Sequence, residues 1–170
     1  MSLPVEYIIL RITEEGVRMK VLEVEIRPVI ISDKPFLANI QRSNWPAGTW
    51  WGDGYQERLE LAFRIEPEGL FLAEVSSIPL GWSWARSIGP DGLLEIGAII
   101  LVSVMRSHWG QGIGLILFKE AERYLISRGC AAIEFETDSR RIRALRQFGY
   151  ELVGWKSETE ACFIKRLHSR

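Results

Sequence analysis

The chain has 170 residues, 47% hydrophobic and 25% charged, with a formal net charge of −1. That is the size and make-up of one soluble globular domain with a full core, and with no basic stripe of interleaved aromatics it argues against a nucleic-acid partner. Met1–Glu6 lacks a basic leader, and the longest apolar run, Leu93–Met105, is broken by Glu95 and falls short of the roughly 20 residues a membrane span needs, so a cytoplasmic protein that does not engage the membrane is expected.

Taken in chain order, Tyr7–Ile12 and Val17–Val21 read as an extra strand or hairpin ahead of the main domain. Residues 1–21 are therefore treated as an N-terminal extension and 22–170 as the domain proper. Leu22–Pro28 alternates Leu, Val and Ile with Glu and Arg, as a half-buried strand does. Ser32-Asp33-Lys34-Pro35 reads as a helix start, with the helix running to about Ser43. A loop over Asn44–Gly54 carries Trp45, Trp50 and Trp51, and Tyr55–Ile65 reads as a second helix.

Leu70–Val75 and Leu80–Arg86 read as strands, Gly89-Pro90-Asp91-Gly92 as a turn, and Leu93–Met105, apolar on both faces, as a central strand. Gly112–Arg128 is an amphipathic helix with Gly129 as its C-cap. Ala131–Thr137 is a strand, and Ser139–Phe148 a short helix with Ile142, Leu145 and Phe148 inward. Tyr150–Gly154 and Ala161–Leu167 close the chain as a strand pair. Cys130 and Cys162 are expected to be free, buried thiols, and with His108 and His168 they make no zinc-type spacing, so no metal is expected.

The chemistry concentrates where the central strand runs into Trp109-Gly110-Gln111-Gly112-Ile113-Gly114-Leu115. Glycines at 110, 112 and 114 let a bulky ligand approach the backbone, and the helix opening there leaves its first N–H groups at the positive end of its dipole. A phosphate or pyrophosphate fits such a turn. The spacing is not the dinucleotide G-x-G-x-x-G, because Leu117 or Leu115 falls on the last small position, and G-x-x-x-x-G-K-[ST] is absent. Charge is divided in a way that suits a phosphate ligand there. Residues 1–100 hold 14 acidic against 9 basic side chains, and residues 101–170 hold 8 against 12.

The turn resembles the acyl-CoA pyrophosphate loop of the GNAT (GCN5-related) N-acetyltransferase superfamily, Q/R-x-x-G-x-G/A, with Trp109 in the Q/R place, Gly112 as the middle glycine and Gly114 as the last small residue. Trp109 departs from the pattern. The element order from Leu22 to Leu167 is similar to that family's throughout. The resemblance implies an α/β (α+β) GNAT fold: one mixed central sheet of about seven strands, two central parallel strands splayed around acyl-CoA, and about four flanking helices. It implies acetyl-CoA as co-substrate, no metal, and an acetyl group moved to a primary amine by direct attack in a ternary complex. The acceptor is a small-molecule amine or a protein N-terminus. Monomer and homodimer are both left open.

Residue by residue, the resemblance assigns main-chain contacts with the pantetheine arm to Val102, Ser103 and Val104, and the phosphate cradle to the turn from Trp109 to Leu115. Asp138 stands where the family often has an Asn that contacts CoA, although its negative charge suits a helix N-cap better. Glu95, a carboxylate among apolar neighbours, is the candidate base, with a solvated carboxylate at the strand's start as the other reading. The family's usual acidic Tyr is Leu145 here, which keeps a non-catalytic acyl-CoA-binding sensor or scaffold as the alternative function. Trp50, Trp51, Asp53 and Tyr55 are candidates for an aromatic and acidic acceptor pocket, or for a roof over the core.

Overall fold

The computed structural model describes residues 5–13, 16–45, 54–89 and 96–167. Eight strands are hydrogen-bonded in the order β1-β2-β3-β4-β5-β6-β8-β7: β1 (Val5–Thr13), β2 (Gly16–Pro28), β3 (Leu70–Val75), β4 (Ile78–Ile88), β5 (Ile96–Val104), β6 (Ala132–Asp138), β7 (Glu151–Trp155) and β8 (Glu160–Arg166). Among the described residues, four helices accompany them: α1 (Lys34–Asn44), α2 (Tyr55–Ile65), α3 (Ile113–Ser127) and α4 (Ile142–Gln147). The sheet is mixed, with β5 and β6 parallel. This is the α/β architecture expected from the sequence, with one strand more than the seven anticipated. Among the described residues, no helix is long and apolar enough to cross a membrane.

The chain divides into two compact units, Met1–Ser83 with Val102–Glu120, and Trp84–Leu101 with Ala121–Arg170. In the first, β1 and β2 form an antiparallel hairpin in register from Val5 opposite Val24 to Thr13 opposite Gly16. Of β2, only Val24–Pro28 also pairs with β3. Helix α1 buries Leu37, Ile40 and Gln41, and α2 buries Tyr55, Leu59 and Ala62, the i, i+4, i+7 stripe of an amphipathic helix. Leu70, Leu72 and Trp82 of the sheet are also buried, and the Tyr55 and Trp82 rings meet edge to face at 6.4 Å.

The start of α1 differs from the sequence expectation in an informative way. Ile31–Asp33 is a 3-10 turn, and Asp33, instead of capping α1 with its side chain, turns back. Its carboxylate accepts the Ile30 N–H at 2.8 Å and two hydrogen bonds from the Arg27 guanidinium at 2.7 and 2.9 Å. Arg27 also reaches Glu74 at 2.9 Å. The bonds from Arg27 hold the buried Asp33 carboxyl below its usual pKa. A carboxyl whose folded pKa lies below its unfolded value of about 3.9 contributes stability above that pH and loses it as pH falls through the folded value. Thermal unfolding followed by circular dichroism should therefore show a midpoint that drops below about pH 4, and Asp33→Asn should remove part of that dependence. An unchanged acid slope in the variant would show that the pairing contributes nothing.

In the second unit, β8 lies between β6 and β7, antiparallel to both, and the β7–β8 register shifts between Leu152 and Gly154. Glu122 is buried on α3, where its carboxylate accepts from Lys165 Nζ at 2.7 Å and from the Tyr150 hydroxyl at 3.3 Å. Burial, then the Glu122 charge, pushes the Tyr150 phenol well above its ordinary pKa. Tyr150 is thus a core residue. The helix expected over Ser139–Phe148 splits into a 3-10 turn, Ser139–Arg141, and α4, in which Leu145 is buried and Ile142 half-buried, as is Phe148 at its C-cap. Asp138 supplies the reason: its Oδ1 accepts the Arg140 N–H at 2.8 Å and tightens the first turn.

Both cysteines are free, Cys130 buried and Cys162 only half-buried. Cys162 pairs with Glu136 in the β6–β8 register, while Cys130 precedes the start of β6 at Ala132. Six residues of extended chain separate those positions by about 20 Å, far beyond disulfide reach. Titration of the denatured, unreduced protein with a thiol reagent should return two thiols per chain, and a return of none would contradict this register.

Candidate functional site

The glycine turn and its flanks, Val102–Leu115, all lie within the first unit. The parallel β5–β6 ladder runs from Ile96 opposite Ala132 to Ile99 opposite Phe135 and stops there, while β5 continues to Val104. After β5 come Met105, a 3-10 turn over Arg106–His108, and then Trp109. Gly110 and Gly112 adopt φ of 74° and 78°, a region that a side chain makes costly.

The Gly112 carbonyl accepts from Leu115 N at 3.0 Å and Ile116 N at 3.2 Å. The amides of Gly112, Ile113 and Gly114 therefore stand ahead of the first helical hydrogen bond, at the positive end of the 15-residue helix α3. No acidic side chain sits in its first turn to compete for that field. Gly112 is exposed, and a Cβ at Gly110 would meet nothing within 4 Å. Amides at the head of the helix, an open approach at Gly110 and no competing carboxylate together fit a pyrophosphate. The helix reaches the sheet because β4 has a glycine beneath it: a Cβ at Gly81 would stand 2.8 Å from Leu117 Cδ1 and 3.0 Å from the Ser103 carbonyl.

Trp109 is half-exposed, and its indole Nε1 donates to the Val104 carbonyl at 2.8 Å while the Arg106 guanidinium lies 5.7 Å over the ring. That carbonyl also accepts Asn44 Nδ2 at 2.8 Å. With both lone pairs engaged, main-chain pairing to a ligand along this strand is left to the other groups of Val102–Val104.

Asp138, on β6, has both carboxylate oxygens engaged by Arg140, at 2.6 to 3.0 Å, which holds its pKa down to about 2. Tyr55 is buried at the start of α2. It contributes to a groove of about 520 Å³ between α1 and α2, whose charged lining is Lys34, Glu57 and Glu60. Glu95, Trp50, Trp51 and Asp53 lie outside the described residues. Leu145 is buried, in the position where the expected pattern has a Tyr.

A model of the acetyltransferase (GNAT) family matches residues 35–150, more than half of the chain and including the whole glycine turn. The chain belongs to the GNAT family. Two curated relatives carry the name mycothiol acetyltransferase. That of Thermomonospora curvata is 34% identical over 91 residues, 54% of this chain and 29% of the relative. That of Thermobispora bispora is 28% identical over 123 residues, 70% of this chain and 40% of the relative. The chain thus spans less than half the length of both. Among solved structures, the NatC complex bound to Gag peptide and CoA superposes with a TM-score of 0.68 at 19% identity, covering 85% of this chain and 99% of that one. At that identity the likeness shows the GNAT fold.

Proposed function

We propose that the chain is an acetyl-CoA-dependent N-acetyltransferase that acts by direct attack in a ternary complex. The observation that carries this reading is the strand, glycine turn and helix of Val102–Leu115 in a GNAT chain, with the amides of Gly112–Gly114 ahead of the first helical bond. Those amides would hold the pyrophosphate, and the open main-chain groups of Val102–Val104 would line the pantetheine arm. In the transfer, the acceptor nitrogen attacks the thioester carbonyl, the C–N bond forms as the C–S bond breaks, the amine gives up a proton, and CoA leaves as the thiol. Glu95 is the proposed base.

The acceptor is a primary amine, approached from the α1–α2 side, where Glu57 offers negative charge to a cation while Glu60 is already paired with Lys34. The mycothiol-named relatives support a small-molecule acceptor, and the peptide held by the NatC complex supports a protein N-terminus. Buried Leu145 in the acidic Tyr position favours a second reading, an acyl-CoA-binding module without turnover. Thiol release from acetyl-CoA, assayed across small amines and N-terminal peptides, separates them: acceptor-dependent release supports the transferase, and tight CoA binding without release supports the module.

A further inference from the structure

The Val104–Met105 peptide is pinned at both ends. Its carbonyl accepts from Asn44 Nδ2 and from Trp109 Nε1, each at 2.8 Å, and its N–H donates to the Leu80 carbonyl at 2.7 Å. Because a carbonyl oxygen only accepts, the Asn44 atom facing it must be the amide nitrogen, which also lies 2.8 Å from Ser103 Oγ. Asn44 is the last residue of α1, and its neighbour Ser43 accepts the N–H of the next peptide, Met105–Arg106, at 3.3 Å. The end of α1 therefore grips the point where β5 stops and the glycine turn begins.

We infer that Asn44 and Trp109 are positioning residues that act together, through the Val104 carbonyl, to aim the glycine turn at its phosphate ligand. Asn44 touches no group assigned to substrate; it fixes one peptide plane, from which the chain proceeds through Arg106–His108 to the amides of Gly112–Gly114. The same geometry accounts for Trp109 in a place where a Gln or Arg was expected: the indole N–H supplies the second donor to the carbonyl. The inference rests on the reading of the turn as a CoA site.

Asn44→Asp preserves shape but puts a carboxylate oxygen against the carbonyl, and Trp109→Phe keeps an aromatic ring while losing the donor. Calorimetry with CoA, on protein shown folded by circular dichroism, should give at least about fivefold weaker binding for each. The double variant should lose less than the product of the two single losses, because one vacated lone pair already frees the peptide. The KM for acetyl-CoA should rise while that for the amine holds. A purely structural role predicts lower melting temperatures with unaltered CoA affinity in the folded variants, and that result overturns the inference. Gly112→Asp separates the two failures. CoA affinity lost there but kept in Asn44→Asp rejects the clamp alone, and a parent chain that binds no CoA, or Gly112→Asp binding like the parent, rejects the turn as the site and the clamp with it.

Discussion

Gly112→Asp is expected to weaken CoA binding at least about tenfold, a loss of about 1.4 kcal/mol or more, in a protein that remains folded. Two effects combine at this position. At φ of 78° an L side chain costs about 1–2 kcal/mol, of which Asn and Asp, among non-glycine residues, pay less than most. The added carboxylate then competes with the pyrophosphate for the amides of Ile113 and Gly114. Gly110→Asp carries comparable strain at φ of 74° with its Cβ in open space, so it should lose less affinity than Gly112→Asp. Gly114→Ala should fold normally, since its Cβ would meet Val104 Cγ2 at 3.6 Å and Val102 Cγ1 at 3.9 Å, ordinary contacts. Calorimetry with CoA reads all three. Parental affinity in Gly112→Asp removes the turn as the phosphate site.

Glu95→Gln should slow acetyl transfer by about 10²–10⁴ near neutral pH, the range general-base catalysis supplies, while leaving acetyl-CoA affinity in place. The amide is nearly isosteric with the carboxylate but cannot take the ammonium proton. Part of the loss should return as pH rises and the amine deprotonates in solution, so the variant's rate should climb with pH more steeply than the parent's. A rate within about twofold of the parent would mean that water or another carboxylate removes the proton.

Much of the fold was legible because it is written in local pattern. Tyr55–Ile65 and Leu70–Val75 have the boundaries that periodicity indicates, since Tyr55, Leu59 and Ala62 repeat at helical spacing and β3 follows the Gly69 break. The glycine turn was legible for the same reason: its glycines, the preceding apolar strand and the following helix are contiguous. What was not legible depends on contacts distant in sequence. Asn44 meets Ser103 and Val104 across about sixty residues, and in the sequence it is only a polar residue after a predicted helix. Arg27 draws Asp33 away from a capping role that Ser32-Asp33-Lys34-Pro35 suggests locally. At Ser139, a carboxylate one residue earlier substitutes a 3-10 turn for the start of a helix that periodicity alone would extend.

On the proposed reading, this GNAT chain moves an acetyl group instead of only binding its donor. Stopped-time measurement of free CoA thiol, with acetyl-CoA fixed and a panel of primary amines and N-terminal peptides varied, tests it most directly. Acceptor-dependent thiol release, matched by acetylated acceptor in mass spectrometry and lowered by Gly112→Asp, is the expected result. Saturable CoA binding with no acceptor raising thiol release above the spontaneous rate would contradict it.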